Sequence, residues 1–255
     1  MELKRKFEKI KSIGLVKSLR AGSTGVGYTF ESLLNKAEDQ KSTPDFKSIE
    51  LKCKLGYSKS SLTLFNCAPK RHGNPANNYI FANYAQHRYN NKNDLKIFER
   101  KVFHNYTIER NGITFKVFVD YYAQELVMKS YQNNEFIENV CSWDFKSLER
   151  KLKIKLNTLA IIEAYPYKRN KEIYYKYVKL SIYKLRGFFE FLQLIEKDKI
   201  QICFYMKQAI GNKNEVKQDN NQNNNVAKNI DFKDHGVAFR IRLDYIDELF
   251  YRVKI

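Results

Sequence analysis

Within eight residues of this 255-residue chain stand two carboxylates and an ammonium: Asp45, Glu50 and Lys52. Ser48–Lys54 alternates like a β-strand, and strand side chains point to opposite faces in turn. Ile49, Leu51 and Cys53 are therefore expected to face a core. Glu50 and Lys52 then stand side by side on a solvated edge, which Asp45 can reach after Pro44. Hard carboxylate oxygens hold Mg²⁺, which takes octahedral oxygen ligands and keeps several waters. Such an ion polarises a phosphoryl oxygen and makes a nucleophile of bound water. A lysine beside it can orient or deprotonate that water, or neutralise charge in the transition state. The grouping suits phosphodiester hydrolysis. A Glu-x-Lys pair on a strand is also commonly a plain exposed charge pair, so context has to decide.

The context begins with charge. The chain has 46 Lys and Arg against 28 Asp and Glu, a formal net charge of +18. That surplus repels itself in a compact state and asks for a polyanionic partner, nucleic acid or an anionic membrane surface. No run of about 18 apolar residues is present to span a bilayer. Met1-Glu2-Leu3-Lys4-Arg5-Lys6 opens without the apolar stretch of a secretory signal. Cys53, Cys67, Cys141 and Cys203 are scattered without CxxC spacing, which argues against zinc and for reduced thiols in a cytoplasmic protein. An aromatic fraction of 15% excludes a disordered basic tail. A low-GC coding sequence would itself favour Lys, Asn, Tyr and Phe, so part of the surplus can be compositional.

Around these residues the pattern is mixed. Residues 2–20 read as a basic amphipathic helix with Leu3, Phe7 and Ile10 on one face. After a break at Ala21–Gly25 a second helix fits Val26–Asn35, followed by a polar loop from Lys36 to Pro44. Ser61–Cys67 reads as a second strand. Residues 68–94 are polar and show little periodicity. Asn111-Gly112 marks a hairpin between the strand-like runs Leu95–Glu109 and Ile113–Val119. Tyr121–Met128 reads as a further strand. Asp144–Lys155 reads as a helix, Thr158–Ala164 as a buried strand, Tyr183–Glu196 as an amphipathic helix and Ile200–Met206 as a strand. Ten of the 19 residues in Gly211–Asn229 are Asn or Gln, the signature of a long loop. Asp244–Tyr251 closes as a short helix. The expected class is α/β or α+β around a mixed sheet.

Several further residues could bind an anion. Gly22-Ser23-Thr24-Gly25 leads into a helix N-terminus, whose free N–H groups suit a phosphate; no GKS/T follows, so it is not a P-loop. Lys70-Arg71 and Lys168-Arg169-Lys171 are basic patches of the kind that fix a nucleic acid without reading it. Any one of these lysines is equally well a solvated charge. Tyr174, Tyr175 and Tyr177 interleave with Lys171 and Lys176, which fits either base stacking or a sheet core with tyrosine edges. His72, His87 and His104 carry no assignment.

The segments Gly22-Ser23-Thr24-Gly25-Val26-Gly27-Tyr28-Thr29-Phe30-Glu31, Pro44-Asp45-Phe46, Ile49-Glu50-Leu51-Lys52 and Ser61-Leu62-Thr63-Leu64-Phe65 resemble the MvaI/BcnI restriction endonuclease family, itself related to the MutH mismatch-repair nickase. The resemblance continues through Trp143–Leu148, Tyr174–Tyr177 and Asp234–Ile241, in the family's order. It implies a PD-(D/E)xK nuclease fold, Mg²⁺ dependence and double-stranded DNA as substrate. It implies Asp45 and Glu50 as metal ligands, Lys52 as the active-site lysine and Glu31 as an extra helix carboxylate. Ser23 and Thr24 would meet a DNA phosphate. His235 and Arg240 become candidates for base or phosphate contacts, although Lys233 and Val237 depart from the His and Thr usual in the family. The expected protein is a monomeric Type II restriction endonuclease leaving 5′-phosphate ends. A cognate DNA methyltransferase would belong to the same system without stable association. Residues 1–255 would form one endonuclease unit whose two lobes clamp the duplex: a catalytic lobe mainly from 1–70 and 140–165, and a recognition lobe mainly from 71–139 and 166–255. A MutH-like nickase, a non-catalytic DNA-binding module and a membrane-surface binder are the competing readings.

Overall fold

The structure is a computed structural model that describes residues 2–34, 44–90, 93–209 and 232–254. The chain divides into two compact units. The first is drawn from Met1–Phe65, Lys146–Ile200 and Arg240–Ile255, and the second from Asn66–Phe145 and Gln201–Phe239.

In the first unit the order of the sheet is Leu15–Lys17, Glu172–Leu185, Thr158–Arg169, Glu50–Leu55, with Phe250–Val253 also paired to Glu172–Leu185. The hairpin of Thr158–Arg169 and Glu172–Leu185 is antiparallel, whereas Glu50–Leu55 runs parallel to Thr158–Arg169. The sheet is thus mixed, as the sequence pattern suggested. Leu159 lies opposite Glu50 and Ile161 opposite Lys52, so these four side chains share a face. On the other face Leu51, Ala160 and Ile162 join Leu3, Phe7 and Ile10 of helix Glu2–Ile13 and Val26 and Phe30 of helix Gly25–Leu33 in one core. Both Leu159 and Ile161 are buried too, as a strand covered on both faces requires.

The hairpin settles the division into units. Glu172–Leu185 pairs along its whole length with Thr158–Arg169, which binds residues 166–200 to the unit containing Glu50 rather than to a separate recognition lobe. Residues 240–255 join the same unit for a related reason: Phe250–Val253 adds to that sheet.

The second unit pairs Ile113–Asp120, Glu125–Gln132 and Glu135–Asp144 as an antiparallel meander, extended by the short strands Lys70–Arg71 and Asn74–Pro75. It also pairs Gln86–Asn90 with Asn93–Val102, and Asn93–Val102 with Ile200–Gln208. Phe98 centres its core, 5.7 Å from Phe115 and 5.6 Å from Phe204 by ring centroids.

Several elements differ from the sequence expectation. The first helix ends at Ile13, because Gly14 takes a left-handed φ of 79° and a strand begins at Leu15. Glu50–Leu55 and Leu62–Asn66 are both strands but lie in different sheets. Helix Asn77–Tyr84 occupies part of the stretch read as aperiodic. Tyr183–Leu185 is strand, held by pairing on both sides, and the helix begins only at Phe188. Asn111 and Gly112 do form a left-handed turn, with φ of 54° and 74°, closed by a bridge from Arg110 to Ile113. Beyond that bridge Ile113–Asp120 pairs instead with Glu125–Gln132. The chain's end holds a single turn of helix at Ile246–Leu249, then a strand. The loop expected from Lys36 to Pro44 lies, up to residue 43, outside the described residues, as does the one within 211–229.

Candidate active site

Glu50 opens its strand and is 1% exposed. The expected solvated edge is therefore a buried one at this residue. Helix Phe145–Leu156 supplies buried Leu148, Leu152 and Leu156, and its last turn reaches the carboxylate. Lys52 Nζ donates to Glu50 Oε1 at 2.6 Å, and Lys155 Nζ lies 3.3 Å from Oε2. Asp45 Oδ2 accepts the Leu51 backbone N–H at 3.0 Å, which fixes the approach segment against the strand. Burial pushes the Glu50 carboxyl above the usual carboxylate range; Lys52 and Lys155 work against that rise and Asp45 adds to it. Asp45, Glu50, Lys52 and Lys155 thus share one electrostatic neighbourhood.

Glu31 belongs to the same region. Burial raises the Cys53 thiol well above its ordinary value, and the next largest influence is the Glu31 carboxylate, followed by Lys52 and Asp45. Helix Gly25–Leu33 carries Glu31 and is set tightly on the sheet. Tyr177, fully buried, donates its hydroxyl to the Val26 carbonyl at 2.9 Å. Thr29 Oγ1 accepts the Leu19 N–H at 3.0 Å. Thr24 is the N-cap but its side chain caps nothing, and Ser23 and Thr24 are both exposed at the helix entrance. Arg20 stacks its guanidinium 3.8 Å from the Tyr28 ring centroid and so flanks that entrance with a cation. Of the tyrosines interleaved with lysine, Tyr175 and Tyr177 are buried sheet-core residues, which removes them as stacking platforms.

The other candidates are placed as follows. Lys70 is exposed, 3.7 Å from Asp144. Arg71 is held: its guanidinium meets Glu138 at 2.8 Å and stacks 3.8 Å from the Tyr79 ring. Arg240 donates to the Ser61 carbonyl at 3.1 Å, within the unit of Glu50. His235 is exposed in the other unit, its ring 4.9 Å from that of Tyr205 and its backbone N–H donating to the Tyr205 carbonyl. Asp234 shapes that loop by accepting the Gly236 N–H at 2.8 Å, while Asn77 donates to its other oxygen at 2.5 Å. Sequence reasoning missed Lys155 and Asn77. No local motif marks Lys155; the packing of its helix, distant in sequence from the strand, brings it to Glu50.

Among the described residues no group of three or more His, Cys, Asp or Glu is arranged to hold a metal. An ion held by one or two carboxylates, with water and phosphate completing the shell, needs no such cage. Asp45 and Glu50 fit that demand: both offer hard oxygens, and Glu50 Oε2 is buried with no hydrogen-bond partner among the described residues. No helix of the described residues is long and apolar enough to cross a membrane.

A model of the MvaI/BcnI restriction endonuclease family matches residues 4–250. Restriction endonuclease MvaI in complex with its cognate DNA substrate is 28% identical, covers 98% of this chain and 96% of that chain, and superposes with a TM-score of 0.81. MvaI in the absence of DNA is likewise 28% identical, with 98% and 95% covered and a TM-score of 0.60. A search of curated proteins found no match.

Proposed function

Since the chain belongs to the MvaI/BcnI restriction endonuclease family, and is in that sense a Type II site-specific deoxyribonuclease, we propose that it hydrolyses double-stranded DNA at a short specific site with Mg²⁺, leaving 5′-phosphate and 3′-hydroxyl ends. The observation that carries this reading is Glu50: a carboxylate 1% exposed, beside Asp45 and clasped by lysine. Burying an ion costs several kcal/mol even after relaxation, and Lys52 and Lys155 offset that cost at Glu50.

Asp45 and Glu50 would hold the ion, which supplies a polarised phosphoryl oxygen and an acidified water. Lys52, 2.6 Å from Glu50, places a positive charge where the phosphate's negative charge grows. Glu31 adds a third carboxylate from the helix side. Ser23, Thr24 and the N-terminus of the Gly25–Leu33 helix seat a backbone phosphate. Lys70 adds a contact without sequence content. His235, exposed on a loop shaped by Asp234, reads a base edge. The unit carrying Glu50 is then catalytic, and the unit carrying His235 contributes recognition. The protein acts as a monomer with one such site and cuts the strands in turn, and a cognate methyltransferase protects the host DNA.

The test is digestion of unmodified plasmid DNA in Mg²⁺ followed by sequencing of the fragment ends. One recurrent sequence with 5′-phosphate termini is expected. Wild-type cleavage rates from Glu50→Ala or Lys52→Ala would remove the assignment.

A further inference from the structure

Glu50 meets two ammonium groups, and only Lys52 belongs to its strand. Lys155 comes from the last turn of helix Phe145–Leu156. A lysine at such a position ordinarily stays in water near the last carbonyls of its helix. Here the order of the turn is reversed: Ile154 is 48% exposed, while the Lys155 side chain is 23% exposed and turned toward the sheet. Its neighbour Lys153 shows the ordinary behaviour, pairing with Glu149 on the solvent side at 62% exposure.

The two oxygens of Glu50 are not equivalent. Oε1 accepts the Lys52 hydrogen bond at 2.6 Å. Oε2 accepts none among the described residues, and the group standing in front of it is Lys155 Nζ at 3.3 Å. The oxygen left for an added ligand is thus the one already faced by a cation. Two cations competing for one buried oxygen repel each other strongly, because little water intervenes to screen them.

We propose that Lys155 is a positioning residue of this active site: its ammonium holds the open oxygen of Glu50 and yields it to the divalent ion. This rests on the reading of Glu50 as a metal ligand. Lys155 then keeps the buried carboxylate compensated and aimed before the ion arrives. Once displaced, it remains beside the scissile phosphate as a second positive charge.

The experiment is Mn²⁺ binding by the full-length protein without DNA, followed by electron paramagnetic resonance of the free ion. Lys155→Met and Lys155→Gln are expected to bind Mn²⁺ about tenfold more tightly than the wild type, and Lys155→Arg to match the wild type. The Gln variant keeps a polar head and serves if the Met variant does not fold. Wild-type or weaker affinity in both neutral variants overturns the proposal. Glu50→Gln separates this outcome from failure of the underlying reading. If Glu50→Gln loses Mn²⁺ while the Lys155 variants stay unchanged, only the role of Lys155 falls. If Glu50→Gln binds Mn²⁺ like the wild type, Glu50 is no ligand and both statements fall.

Discussion

Glu50 sets function against stability. Its carboxyl titrates above the ordinary value of 4.5, chiefly because it is buried. A raised carboxyl pKa means that the folded state holds its proton more tightly than the unfolded state does. The associated stability is therefore fully present below about pH 4.5 and is lost as pH rises through the folded-state value. Replacing Glu50 by Gln removes that loss. In metal-free buffer Glu50→Gln is expected to gain stability relative to the wild type as pH rises from about 4.5 to 7. That gain should shrink as denaturation is repeated at lower pH, and a difference independent of pH would refute the account. The same variant should lose at least about a hundredfold in cleavage rate. His235 gives a different signature. His235→Ala should slow cleavage at the specific site by about tenfold to a hundredfold, the worth of one base contact. Its binding to non-specific DNA, measured by filter retention, should change little. Equal loss in both assays would make His235 a phosphate contact or a structural residue.

At the level of elements, the site depends on how closely helix Gly25–Leu33 approaches its surroundings. A Cβ on Gly25 would stand 2.4 Å from the Arg20 carbonyl oxygen and 2.8 Å from the Tyr175 hydroxyl. The nearest of these is backbone and cannot swing aside. Gly25→Ala should therefore destabilise the protein by about 1–3 kcal/mol and shift the helix that carries Glu31. A thermal melt equal to the wild type would show that the loop relaxes freely. This glycine was legible in sequence as part of the loop, but the loop was read for its N–H groups, not for close packing. Helix Asn77–Tyr84 is the converse case. Its buried residues Asn77, Ile80, Phe81 and Tyr84 follow helical spacing, yet the surrounding Asn-rich polarity concealed a single short stripe. The stretch Tyr183–Glu196 misled in another way. Its apolar residues suit a helix throughout, and only the partners on each side of Tyr183–Leu185 make that part a strand.

For the whole molecule, the net charge of +18 predicts strongly salt-dependent DNA binding. Raising salt from about 50 to about 200 mM should weaken non-specific binding by more than tenfold. Lys70→Ala should lower the slope of log K against log salt by about one and slow cleavage only through binding. An unchanged slope would class Lys70 as a solvated charge paired with Asp144. Arg71, by contrast, is already occupied by Glu138 and by the Tyr79 ring, so its sequence neighbourhood alone overstated its availability.

Sequence alone determined the motif and its local arrangement. Strand parity put Glu50 and Lys52 on one face, and the ordered blocks from Gly22 to Ile241 pointed to the family that the whole-chain match shows. These features are local in the chain, and local periodicity is what a sequence records. Tertiary structure decided the rest. Which strands pair depends on partners far apart in sequence, so it placed residues 166–200 in the unit of Glu50. It buried Glu50, on a sheet face shared with the buried Leu159 and Ile161 of a strand distant in sequence. It also brought Lys155 to the carboxylate, a contact that no spacing within the motif could encode.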